Sequence, residues 1–279
     1  MLFGAHVSIA GGVHNAPLNA AKIGCEVFQM FTRSPQGGPA PKLTSEILTA
    51  FAENCRAGQF KEWVVHTPYY INLCSADAKL RGNSARIIRE ELERASSLGA
   101  AFVMFHPGSA KDVGEAEGVR LVVQGLKKVM DGYAGTTKLL VEISAGAGMI
   151  VGDSFEENAA VLDGLGHPEV GICFDTAHAF ASGYDLRDAA AVEKTLKEFD
   201  RVIGFKRLKV VHANDSKVEL GARKDRHEHI GQGFIGKKGF GALVGHPKLK
   251  NVNFYLETEP DGVAQDLETL KKMRKNKQM

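Results

Sequence analysis

Eight short apolar runs, recurring roughly every 30–45 residues, constrain the fold of this chain more than any other feature. They are Phe3–Val7, Val27–Phe31, Trp63–His66, Phe102–His106, Leu139–Ile143, Gly171–Asp175, Leu208–His212 and Phe254–Glu257. Most read as continuous runs (VVH, FVMFH, LLVEI, GICFD, FYLET) and not as alternating polar and apolar positions. Continuous runs are expected of parallel strands buried on both faces. Between them lie segments of helical spacing near Thr44–Arg56, Ala78–Leu98, Glu115–Asp131, Leu186–Val202 and Gln265–Lys275. In Ala78–Leu98, the positions Leu80, Ile87, Ile88, Glu91, Leu92 and Ala95 set an apolar stripe beside a charged one.

Eight strand–helix units in 279 residues are the arithmetic of a (β/α)8 TIM barrel, an α/β fold. Length alone would give about two domains. No Pro/Ser linker or low-complexity stretch divides the chain, so a single domain over residues 1–279 is expected. A doubly wound sheet is the competing architecture, and the even spacing and the count of eight favour the barrel. Composition is ordinary for a globular chain, with 44% hydrophobic and 24% charged residues, which excludes disorder and collagen-like structure.

No apolar run reaches the ~18 residues of a membrane span, so no membrane partner is expected. The start, MLFGAHVS, has no basic stretch or cleavage pattern, so no signal peptide is expected either. Cys25, Cys55, Cys74 and Cys173 are scattered with no C-x-x-C pair, which suggests neither a zinc ribbon nor a redox motif. A reduced, cytoplasmic location is the expectation. A net charge of +2 permits a nucleic-acid partner without arguing for one. The basic end, KKMRKNKQM, reads as a tail frayed from about residue 272.

Barrels display functional groups at the C-terminal ends of their strands. Here His66 ends the third strand, His106 the fourth, Asp175 the sixth and His212 the seventh. Glu142 lies in the fifth and Glu257 at the end of the eighth. One histidine at a strand end is usually structural. Six ligand-type residues around one ring converge on a cavity where unpaired charges would be costly without a cation or a partner. Asp175-Thr-Ala-His178 adds an imidazole three residues from a carboxylate, a spacing that also serves as a helix N-cap. Asp225-Arg-His227 places both groups on one side of an extended segment.

The nine candidates are five His, two Asp and two Glu. One tetrahedral zinc uses about four ligands, so nine imply two or three metals. Imidazole and carboxylate without thiolate suit Zn and allow Mn or Fe. His6 ends the first strand and faces the cavity, where it can serve substrate or support a ligand. The other histidines read as structural.

These residues carry a resemblance to the endonuclease IV family of apurinic/apyrimidinic endonucleases. Gly4-Ala5-His6-Val7-Ser8 with Gly11-Gly12 is similar to the family's start. His66-Thr67-Pro68-Tyr69-Tyr70-Ile71-Asn72-Leu73 and Phe105-His106-Pro107-Gly108-Ser109 resemble two of its blocks. Gly171 to His178, continued to Asp185, resembles another signature. So does His212-Ala213-Asn214-Asp215-Ser216-Lys217, with Gly221, Asp225-Arg226-His227 and Ile230 to Gly233. The likeness runs in register from residue 4 to about 260.

The resemblance implies three zinc ions per chain. His66, His106 and Glu142 would hold one. Glu142, the expected catalytic residue, would bridge to a second held also by Asp175, His212 and Glu257. His178, Asp225 and His227 would hold the third. The implied partner is double-stranded DNA containing abasic sites, met by a monomer. Its backbone would be cleaved on the 5′ side of the lesion to leave a 3′-hydroxyl and a 5′-deoxyribose phosphate.

The chain departs from the family pattern at Pro68, Tyr70, Cys74, Ala177, Ala222 and Glu142-Ile143-Ser144, all of which spare the candidate ligands. Gln36-Gly37-Gly38 stands where the family often carries Arg-Gln-Trp and offers no large wedge for a duplex. Tyr69 and Tyr70, three and four residues after His66, are therefore expected to contact DNA at the abasic site, with packing into the barrel rim as the alternative for Tyr70.

Two rival functions are a metal-dependent sugar isomerase or epimerase and a non-catalytic DNA-binding relic. The first needs one metal on Glu142, Asp175, His212 and Glu257, and leaves His66, His106, Asp225 and His227 without use. The second leaves a full ligand set as a burden of unpaired charge.

Overall fold

The structure, a computed structural model, describes residues 1–276. Eight parallel strands close into a barrel: β1 (Phe3–His6), β2 (Val27–Met30), β3 (Trp63–His66), β4 (Phe102–Phe105), β5 (Lys138–Glu142), β6 (Gly171–Asp175), β7 (Leu208–His212) and β10 (Asn253–Leu256). Each pairs with its chain neighbour, and β1 pairs with both β2 and β10 to close the ring. The (β/α)8 barrel expected from the apolar runs is the observed fold. Five strands stop one residue earlier than the runs do, so His106 and Glu257 lie just past their strand ends.

Alternation along each strand sorts its residues into two cores. Phe3, Ala5, Phe28, Met30, Val65, Val103 and Val141 face outward and pack with the helices in one large buried cluster. Val27, Val64, Met104, Leu140, Cys173, Val210 and Tyr255 form a second, separate cluster inside the barrel. On β1 the corresponding position is Gly4, where a Cβ would lie 1.8 Å from the carbonyl oxygen of Val27. A side chain there would push β1 from β2.

The helices are α1 (Ala16–Lys22), α2 (Ser45–Ala57), α3 (Ala78–Ser97), α4 (Glu115–Met130), α5 (Phe155–Leu165), α6 (Thr176–Ala181), α7 (Ala189–Val202), α8 (Gly236–Gly245) and α9 (Val263–Asn276). Thr44, Asp77, Ser154, Asp175 and Asp188 cap five of them with side-chain oxygens on backbone N–H groups. A two-stranded antiparallel hairpin, β8 (Asp215–Ser216) with β9 (His227–Glu228), is inserted after β7 and stands over the barrel mouth. Because α9 runs to Asn276, residues 272–276 are helical where fraying was expected, and 277–279 lie outside the described residues. No helix among the described residues is long and apolar enough to cross a membrane.

Candidate metal centre

Two residues beyond each inward apolar position, the next inward side chain is polar. The pairs are Gly4/His6, Val27/Gln29, Val64/His66, Met104/His106, Leu140/Glu142, Cys173/Asp175, Val210/His212 and Tyr255/Glu257. The period of two turns one apolar layer into one layer of donors at the C-terminal mouth. His66, Gln29, Glu142, Asp175 and His212 are buried there.

All nine sequence candidates converge at this mouth. His66 Nε2 lies 3.0 Å and His106 Nε2 3.6 Å from Glu142 Oε2. The other Glu142 oxygen, Oε1, lies 2.9 Å from His212 Nδ1. His212 Nδ1 is also 3.3 Å from Glu257 Oε2 and 3.8 Å from Asp175 Oδ2. Beneath the hairpin, Asp225 Oδ1 lies 3.2 Å from His178 Nε2 and 3.3 Å from His227 Nε2. Asp175 Oδ2 reaches to 3.8 Å from His227 Nε2, so Asp175 stands between the second and third groups as Glu142 stands between the first and second. His66, His106 and Glu142 could hold one ion, Glu142, Asp175, His212 and Glu257 another, and Asp175, His178 and His227 a third.

The imidazoles are oriented for this work. His66 donates Nδ1–H to the Thr67 carbonyl at 2.6 Å, and His178 donates Nδ1–H to the Ile143 carbonyl at 2.9 Å. Each is thereby fixed with its Nε2 toward the centre, the atom it would offer to an ion. Asp175 caps α6 through Oδ1, which accepts from the His178 amide at 2.7 Å. Its Oδ2 accepts from Asn214 Nδ2 at 2.7 Å. The N-cap reading and the ligand reading of Asp-x-x-His therefore describe one carboxylate with two oxygens.

The electrostatics call for positive charge. Burial alone would push the Glu142 carboxyl up, but the His106 and His212 imidazoles and hydrogen bonds from His212 and His66 hold it well below the usual range. Burial would likewise raise Glu257, yet His212 brings it down to about 2. His178, which burial alone would depress, is pushed to about 10 by Asp175, Asp225 and Glu142. The carboxylates draw protons onto the imidazoles that face them, as at His178, in the place where a bound cation would supply the positive charge. That donor set fits a cation, and nitrogen with carboxylate oxygen fits zinc, manganese or iron.

A cavity of about 290 Å³ opens over the centre, lined by His66, Tyr69, His106, His178, Asp225, His227 and Glu257 together with Lys217, Arg226 and Glu259. Tyr69 is 64% exposed, with its ring edge-on to Phe31 at 5.5 Å. Tyr70 is half-buried and packs against the outer core. Both tyrosines line an adjoining groove of about 490 Å³. Gly108 fixes the position of their loop: at its φ of +107°, a Cβ would come within 2.7 Å of the Asn72 Cα. The Phe31–Gly38 loop is anchored at Arg33, whose guanidinium donates to Glu91 at 2.5 Å and to Glu90 at 2.9 Å.

Sequence reasoning missed Gln29, Asn214, Lys217 and Arg226. Gln29 had a signal, since it is the inward residue two beyond Val27. Arg226 lies between two candidates on β9's approach, and Lys217 follows β8, a strand too short to read.

Comparison with known proteins agrees with this geometry. Residues 17–273 match the family described as xylose isomerase-like TIM barrel. The chain is 39% identical over 271 residues to "Probable endonuclease 4" of Geotalea daltonii, covering 96% of this chain and 94% of that one. It is similar to the crystal structure of endonuclease IV from Thermus thermophilus, with a TM-score of 0.89 and 34% identity, covering 99% of this chain and 100% of that chain. A D-tagatose 3-epimerase-like protein superposes with a TM-score of 0.77 at 20% identity, covering 100% of this chain and 98% of that one, a likeness of fold alone.

Proposed function

This chain belongs to the endonuclease IV family, and from that premise we propose that it cleaves double-stranded DNA on the 5′ side of an abasic site, as a monomer holding three zinc ions. Cleavage leaves a 3′-hydroxyl and a 5′-deoxyribose phosphate. The observation that carries the reading is the joining of three donor groups through two shared carboxylates, Glu142 and Asp175. A one-metal sugar epimerase would leave His66, His106, His178, Asp225 and His227 without work.

Bound cations at such a centre neutralise phosphate charge and lower the pKa of water. The protein's own part is placement. Glu142 offers one oxygen toward His66 and His106 and the other toward His212, so it fixes the spacing of the first two groups. Lys217 and Arg226 at the cavity edge suit the phosphates flanking the scissile bond. Tyr69, exposed above His66, suits the gap left in the duplex when the base-free nucleotide leaves the stack. A missing base makes that extrusion less costly than for a paired nucleotide.

Two measurements test the proposal together. Elemental analysis of purified protein should give three metals per chain. Incision should be seen on abasic duplex and not on intact duplex, with no turnover of a keto-sugar panel. One metal per active chain, with epimerisation of a keto-sugar, would overturn the reading.

A further inference from the structure

We propose that Gln29 is a positioning residue of the metal centre: its side-chain amide selects the nitrogen that His212 presents to the ion and holds Glu257 in place. The inference rests on the reading of this centre as metal-binding. Gln29 is fully buried on β2. Its Nε2 lies 2.6 Å from Glu257 Oε1 and 3.0 Å from His6 Nδ1, and its Oε1 lies 2.7 Å from His212 Nε2.

The amide can have only one orientation. An ionised carboxylate only accepts, so the Gln29 nitrogen must face Glu257, and its second N–H then meets a lone pair on His6 Nδ1. The Gln29 oxygen is left for His212, and it accepts only if His212 carries its proton on Nε2. Nδ1 is thereby the nitrogen that His212 turns to the centre and would offer to an ion, 2.9 Å from Glu142 Oε1 and 3.3 Å from Glu257 Oε2.

This histidine is the exception among its neighbours. His66, His178 and His227 each set their Nδ1 against a backbone carbonyl, of Thr67, Ile143 and Glu257, and present Nε2. His212 presents Nδ1, and a side chain orients it. A backbone carbonyl survives every substitution, whereas the orienting group of His212 can be removed by changing one residue. Gln also suits the place by being neutral, since a fourth carboxylate would stand against Glu257.

The test compares the full-length wild type with Gln29→Met, which keeps length and loses all three hydrogen bonds, and with Gln29→Glu, which keeps only the acceptor. Zinc affinities are measured by competition with a chelator. Each protein is also loaded with cobalt(II), and the exchangeable imidazole N–H protons are followed by proton NMR, with circular dichroism to confirm folding. The wild type should show a protected, shifted N–H for His212.

Gln29→Met should lose that signal and bind one of its metals about 10–100-fold more weakly, the usual effect of removing a ligand's supporting hydrogen bond. Gln29→Glu should keep the signal while still weakening the metal. Wild-type affinity and an unchanged N–H signal in folded Gln29→Met would overturn the role of Gln29, as would loss of the signal in Gln29→Glu. A wild type that retains no metal would instead overturn the metal centre, and this inference with it.

Discussion

Val64 and His66 stand two residues apart on β3, face the same barrel interior and do opposite things. So do Leu140 and Glu142 on β5, and Val210 and His212 on β7. The lower residues belong to a buried apolar cluster inside the barrel. Each buried side chain of that kind contributes about 1.5–3 kcal/mol, and none needs a partner beyond its neighbours. The upper residues are buried as well, but they are carboxylates and imidazoles that satisfy one another only by sharing protons, in the place a cation would take. The floor should hold the barrel together in any solution that keeps the chain folded. The rim should depend on an ion for its order and do the chemistry. The difference shows how little sequence separates the two tasks: one step of the strand period.

The strongest test of that division is Glu142→Gln. An amide is a poor bridge between cations, so incision of abasic duplex should fall at least ~100-fold, while the thermal melt stays cooperative. Near-normal incision by the folded, metal-loaded variant would break the assignment of chemistry to the rim. The matching change one step below is Leu140→Ala. It should cost ~2–5 kcal/mol of stability, read by denaturant titration, and leave metal content per folded chain at the wild-type value. Loss of metal from folded Leu140→Ala would show that the two layers are not separable.

Smaller effects lie at the two ends of the barrel. Tyr69→Ala removes an exposed ring above His66 and should weaken binding to abasic duplex by ~1–3 kcal/mol, as for loss of a stacking aromatic. A titration at fixed salt, with metal content unchanged, checks this. At the other end, Arg274 pairs with Glu26, the residue before Val27, at 2.7 Å. Burial would raise the Glu26 carboxyl, but hydrogen bonds from Arg274 and the Phe3 amide bring it below its ordinary value. A depressed carboxyl stabilises the fold above its unfolded value near 4.5 and loses that contribution as pH falls through the folded value. Glu26→Gln should therefore cost no more than about 1 kcal/mol at pH 7, given solvent screening. The difference from wild type should close in acid. A difference that persists at pH 2 would mean that the pair acts through packing and not charge.

The layers were legible in the sequence to different depths. All eight strands could be read because parallel strands buried on both faces leave continuous apolar runs. Six of the nine site positions followed, since they sit where those runs stop, and His178, Asp225 and His227 were found by their short spacing to a carboxylate or imidazole. Helices α1, α5, α6 and α8 were not delimited. Two are of seven and six residues, and α8, GKKGFGALVG, is rich in glycine and weak in helical preference. The β8–β9 hairpin, two polar residues on each side, leaves no period to detect. Gln29 was passed over because an amide is not a ligand type. Its importance comes from what it touches across the barrel, and no spacing along the chain reports that. The fraying expected of the basic end was read from charge alone, but α9 buries Val263, Asp266, Leu267 and Leu270 and carries the helix on to Asn276.

Asp175 holds the α6 N-terminus with one oxygen and faces the centre with the other. An arrangement like that makes the His178 amide a reporter. Its proton is shielded as long as the carboxylate keeps its orientation, and the orientation is shared with whatever occupies the centre. Hydrogen–deuterium exchange at this one amide would follow the filling and emptying of the site from the protein's side, without a chromophore or a substrate. It also gives evolution a narrow passage here. A change at Asp175 is felt at once by the local helix start and by the reaction, so relatives that have lost the chemistry should have rebuilt the beginning of α6 as well.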